Sequence, residues 1–201
     1  LQFTAKILFL KKFLLMKITY NAPFTLTFTL IATIIHAFPQ GFTESFFAVG
    51  TNMDFGDPLD YFRLFSHALG HANWNHLFGN FSLILILGPI LEEKYGTKML
   101  ALMSFITALV TGILNVLFLN TGLYGASGIV FMMILLSSFT NMKAKVIPVT
   151  FILVVVLFLG KEVMNSFEQN NVSQFAHILG GILGGVFGFF THNFEKDEKK
   201  V

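Results

Sequence analysis

Six apolar runs, residues 23–38, 74–91, 99–119, 127–139, 146–160 and 175–191, are separated by clusters of charge. A helix needs about 20 residues to cross the hydrocarbon layer of a bilayer. No water satisfies backbone groups there, so each run has to close its own hydrogen bonds as a helix. The runs at 23–38, 127–139 and 146–160 are short and are expected to extend into their flanks. Charged residues make up 12% of the chain, about half the share of a soluble domain. The expectation is an all-α, polytopic membrane protein with a bundle of six transmembrane helices. It divides into a basic tail (1–20), a membrane domain (21–193) and a charged tail (194–201). The loop at 39–73 carries Glu44, Asp54, Asp57, Asp60, Arg63 and several aromatics. It is expected to be a membrane-associated first loop, folded against the bilayer surface.

Lys and Arg set the orientation, since they accumulate in cytoplasmic loops. Lys6, Lys11, Lys12 and Lys17 precede the first run, Lys94 and Lys98 follow the second, Lys143 and Lys145 follow the fourth, and Lys196, Lys199 and Lys200 follow the sixth. Only Arg63 and Lys161 fall on the other side. Both termini are therefore expected in the cytoplasm, in a multi-pass protein of the cell membrane. Residues 1–15 differ in character from the rest of the chain. They read either as lying upstream of a natural start at Met16 or as a basic amphipathic tail on the inner leaflet. The absence of Cys excludes thiolate metal sites and a Cys nucleophile, and a net charge of +2 gives no reason to expect a nucleic-acid partner.

Ionisable groups inside such runs mark function, because hydrocarbon makes them costly. Two stretches stand out: "RLFSHALGHANWNHLFGN" at 63–80 and "FAHILGGILGG" at 175–185. His76 and Asn80 are four apart, and so are His67 and His71, so on a helix each pair shares a face and presents neighbouring donors. Gly180, Gly181, Gly184, Gly185 and Gly188 form a small-residue surface that allows close helix approach. A third stretch, "LYGASGIVF" at 123–131, puts Ser127 between Gly125 and Gly128 at the start of an apolar helix. Free N–H groups at a helix start suit a developing oxyanion. A serine hydroxyl needs a base to become a nucleophile, and His177 is the obvious one. Glu92 and Glu93 beside Lys94 read as a solvated cap at the inner end of the second run.

In this order the motifs resemble the rhomboid family of intramembrane serine proteases over residues 61–190. Arg63, "HALGHANWNHLFGN", "LEEKYG", "GASG" and "AHILGGILG" carry the resemblance. It implies a bacterial-type rhomboid six-helix core with a Ser127 nucleophile and a His177 base. It makes His76, Asn80 and the Ser127 backbone N–H the oxyanion-stabilising donors. Gly125 and Gly128 match the glycines around the nucleophile, and Gly180 and Gly184 those that let the sixth span pack on the fourth. Arg63, His67, His71 and Glu92 match structural positions. Transmembrane proteins are the implied substrates, with the fifth span as a lateral gate and no metal or other cofactor. Two departures affect positioning: Phe131 stands where the family usually has Tyr, and can stack on His177 but not hydrogen-bond. Phe62-Arg63 replaces a Trp-Arg pair.

The alternative within the family is a catalytically inactive rhomboid-like module that binds membrane proteins. A zinc protease is disfavoured by the lack of H-E-x-x-H, and a transporter by the lack of an evident repeat between the halves.

Overall fold

The structure, a computed structural model, describes residues 18–119, 121–140, 147, 149–160, 164 and 174–198. Residues 1–17, Lys143, Lys145, Lys161, Lys199, Lys200 and the expected start of the fifth span at 146 lie outside the described residues.

The described chain is mostly helical. The apolar helices are α1 (Pro23–His36), α4 (Trp74–Tyr95), α5 (Thr97–Phe118), α6 (Ser127–Ser137), α7 (Val149–Val154) and α8 (Gln174–Glu198). Two short helices, α2 (Gln40–Phe47) and α3 (Pro58–Ser66), with a 3-10 turn at His67–Leu69, form the first loop. Among the described residues, three helices are long and apolar enough to cross a membrane: Trp74–Tyr95, Thr97–Phe118 and the Gln174–Thr191 part of α8. Pro23–His36, Ser127–Ser137 and Val149–Phe158 are shorter apolar helices. α7 (Val149–Val154) continues as a π-helical turn at Val155–Leu159. α8 runs past 193 to Glu198, so the charged tail begins as the last turn of this helix.

α6 is the centre of the bundle. Gly128, Ile129, Val130, Met132, Met133, Ile134, Leu135 and Leu136 are all buried, as expected of a helix that is apolar on every side. Its tightest neighbour is α8. A β-carbon on Gly180 would overlap the Gly128 carbonyl oxygen, and one on Gly184 that of Met132. The two backbones are in direct contact along one stripe of glycines.

The inner end of α4 departs from expectation. Glu92 is buried rather than solvated. Its carboxylate accepts from Phe24 N–H at 2.8 Å, Thr25 N–H at 3.0 Å and the Thr25 hydroxyl at 2.9 Å. Pro23 starts α1 and the Ala22 cap supplies no side chain, so the carboxylate takes orphan donors at a helix N-terminus, where a negative charge is favoured.

Arg63 organises the first loop. Its guanidinium donates to the Ser45 carbonyl near the end of α2 and pairs with Asp60. Asp60 also accepts from Asp54 N–H at 2.7 Å. That backbone bond, followed by the Arg63 bond and charge, outweighs burial and holds the Asp60 carboxyl below the usual carboxylate range.

Candidate active site

Ser127 occupies the first position of α6, after Ala126. The preceding Gly125 has φ +125°, a conformation that L side chains rarely adopt. Three contacts hold this turn from the first loop. Val49 and Leu123 exchange N–H···O bonds of 2.9 and 3.1 Å, Gly125 N–H donates to the His67 carbonyl at 2.9 Å, and Ala126 N–H donates to His71 Nε2 at 3.4 Å.

His67 and His71 do not share a helical face. The 3-10 turn ends at Leu69 and Gly70 is extended, with ψ 146°, so the two imidazoles diverge. A β-carbon on Gly70 would overlap the Phe47 carbonyl, so the end of α2 lies directly against the point where the turn ends. Nor are both rings donors into the bundle. His67 Nε2–H donates to the Ala108 carbonyl at 3.0 Å, leaving Nδ1 buried and without a partner among the described residues. His71 Nδ1–H donates to the Leu69 carbonyl at 3.4 Å, which makes Nε2 the acceptor for Ala126.

Both rings are therefore neutral. Burial pushes the His67 pKa down to about 4 against the pull of the Ala108 carbonyl. Burial, then the neighbouring His76, pushes His71 down to about 3. The unfolded chain takes up these protons near pH 6.5, whereas the folded chain refuses them until about 4 and 3. The stabilisation is complete above pH 6.5 and is lost as the pH falls through this window. The loss approaches about 1.4 kcal/mol per pH unit for each histidine. Thermal unfolding in detergent between pH 7.5 and 5 should show a falling midpoint. His67→Gln, which keeps a neutral donor, should remove one proton from that slope; an unchanged slope would refute the account.

His76 and Asn80 face the serine turn from α4. Asn73 caps this helix by accepting from His76 N–H at 2.9 Å, which fixes the first turn carrying the imidazole. A β-carbon on Gly125 would stand 2.9 Å from His76 Nε2 and 3.8 Å from Asn80 Nδ2. Glycine lets both side chains reach the turn. Asn80 Nδ2 is buried and finds no acceptor among the described residues, an arrangement that costs free energy unless the donor has a use.

His177 arrives on α8, one turn before Gly180, with its ring stacked on Phe131 at 4.4 Å between centroids and 8° between planes. Ser127 and Phe131 are four residues apart on α6 and share a face. The Ala176 carbonyl oxygen would lie 3.3 Å from a β-carbon on Gly128. Thus Ser127, His177, His76 and Asn80 converge on one end of the bundle from α6, α8 and α4. Phe158, on the π-helical turn after α7, sets its edge against Phe131 with centroids 6.3 Å apart.

Sequence reasoning missed the polar stripe of α5. Thr107, Thr111 and Asn115 are buried behind the serine turn. The Thr111 methyl lies 3.5 Å from a β-carbon on Gly128, and Asn115 Nδ2 donates to the Thr121 carbonyl at 2.6 Å. Their four-residue spacing within an apolar run was the available signal. His36 was also missed; it is buried at the end of α1 with its ring edge-on to Trp74 at 4.6 Å. Among the described residues no group of three or more His, Cys, Asp or Glu is placed to hold a metal.

A family model described as the Rhomboid domain matches residues 58–194. Among curated proteins, Rhomboid-like protein 11, chloroplastic, of Arabidopsis thaliana is 27% identical over 151 residues, covering 65% of this chain. The match spans 54% of that protein, so the chain corresponds to about half its length.

Proposed function

The chain belongs to the rhomboid family, and from that premise we propose that it is an intramembrane serine endopeptidase acting on transmembrane segments. The observation that carries this reading is the convergence of Ser127 with the Phe131-stacked His177 beside the buried, acceptor-less amide of Asn80.

In this reading His177 takes the Ser127 proton and the Ser127 oxygen attacks the scissile carbonyl. The developing oxyanion is held by His76, Asn80 and the Ser127 N–H. His177 then gives that proton to the leaving amine as the C–N bond breaks, and as a base once more it takes a proton from the water that hydrolyses the acyl-enzyme and returns it to Ser127. A helical substrate already satisfies its own carbonyls, so cleavage favours segments with small or helix-breaking residues near the scissile bond. The domain sits in the cell membrane as six spans with both termini cytoplasmic, α7 acts as the gate, and α1, α6 and α7 complete their crossings with flanking residues. Phe131 stacks on the histidine base, and Arg63, His67, His71 and Glu92 hold the scaffold around it.

The test is incubation of the purified, lipid-reconstituted protein with a panel of transmembrane substrates and mapping of product masses. A fluorophosphonate probe should label Ser127 and stop product formation. Cleavage without labelling would reject the serine mechanism, and neither labelling nor cleavage would favour a binding module.

Gly125→Ala is expected to keep the bundle but lower kcat on the order of 10²-fold or more, the usual consequence of losing an oxyanion donor. The added methyl meets the His76 ring and the backbone at φ +125° resists it. Near-normal kcat in a Gly125→Ala protein would show that the imidazole has no need of that space.

A further inference from the structure

We infer that the cleft between α1 and α5, beneath the first loop, is a binding site for one acyl chain of a membrane phospholipid. It needs only the membrane setting of this fold, not the peptidase reading. The cleft is a cavity of about 270 Å³. Phe24 and Phe28 of α1 and Ala101 and Ser104 of α5 form its sides, and Ala68 of the 3-10 turn and Ala108 lie along it. The small side chains of the alanines and Ser104 create the space.

Water is a poor occupant. An internal water needs two to four polar partners, and the polar side chains of the wall are largely committed. The Ser66 hydroxyl donates to the Phe46 carbonyl, and the Thr27 hydroxyl is paired with Tyr20. Of the wall's hydroxyls, that of Ser104 is buried and has no partner among the described residues. An apolar cavity of about 150 Å³ stays dry and takes up a benzene-sized molecule; this one is larger.

The mouth decides which apolar molecule enters. Thr27, Ile31 and Phe105 line the cleft and are exposed, and Leu30 and Leu102 beside them expose 57% and 51% of their surface. Such a rim on two apolar helices faces hydrocarbon, so the medium at the opening is lipid chain. The far wall is functional ground: Ala108 offers its carbonyl to His67, whose own carbonyl accepts the Gly125 N–H. A chain in the cleft lies against the support of the serine turn.

The experiment reconstitutes the full chain in phosphatidylcholine vesicles containing a phospholipid with a diazirine on one acyl chain. A parallel sample carries a diazirine fatty acid. After photolysis, labelled peptides are mapped by mass. Phospholipid label is expected on the 24–31 and 101–108 segments. Within them, label on the cleft-lining Phe28 and on the buried Ala108 should be lost in both Ser104→Leu and Ala101→Phe, while label on the exposed Leu30 and Leu102 persists. Ala101 is only half-buried, so Ala101→Phe tests the idea even if Ser104→Leu fails to fold. Absence of label on Phe28 and Ala108 in the unmodified protein, or label there that survives Ala101→Phe, would overturn the proposal. Label from the fatty acid alone would overturn the phospholipid as its source.

Discussion

A Ser127→Ala protein is expected to fold as the unmodified chain does and to cut no substrate. Ala126 precedes α6 without a side-chain capping bond, and Ser127 is only half-buried, so its hydroxyl does not support the helix start. Alanine is also the better helix former, and the stability change should stay within about 0.5 kcal/mol. Chemistry has no such tolerance, because in the proposed mechanism the hydroxyl is the group that attacks. Removing the nucleophile of a serine protease costs on the order of 10⁶-fold in kcat. His177→Ala should abolish cleavage too, but with lower stability, since it deletes the ring stacked on Phe131. Product mapping alongside thermal unfolding separates the two variants. Residual cleavage by Ser127→Ala above the uncatalysed level would end the serine assignment.

That contrast rests on residues whose grouping was partly legible in the sequence. The apolar runs announce membrane helices because hydrocarbon leaves the backbone one solution. The glycines at 180 and 184 announce a close approach because their four-residue spacing puts them on one stripe. Local spacing fails where the chain leaves the helix. His67 and His71 look like a helical pair, yet a 3-10 turn and an extended Gly70 send one ring to α5 and the other to the serine turn. No periodicity encodes that Val49 pairs with Leu123, or that Glu92 reaches the start of a helix 67 residues earlier. Such contacts are set by how packed helices bring distant loops together. Even the solvated reading of Glu92 was reasonable locally, since it stands beside Glu93 and Lys94; only the placement of α1 buries it.

Gly180→Ala should be among the most damaging single-methyl changes in the bundle. The new β-carbon would overlap the carbonyl oxygen, carbonyl carbon and Cα of Gly128. These are backbone atoms of the buried central helix, which cannot rotate aside as a side chain would. α8 must move outward, and it carries His177 one turn away, so the stack on Phe131 opens and the imidazole leaves the serine turn. Overpacking a tight core costs typically 1–3 kcal/mol, and a backbone-on-backbone clash belongs at or above the top of that range, about 3 kcal/mol. Cleavage should fall in step. Gly185→Ala provides the control on the same helix, because a β-carbon there meets nothing within 4 Å. By helix propensity alone it should be neutral or stabilising by up to about 1 kcal/mol. Thermal unfolding of the two variants in one detergent, with cleavage measured in parallel, decides the matter. Equal midpoints would mean that α6 and α8 do not touch through Gly128 and Gly180, and that the placement of His177 depends on something other than the glycine stripe.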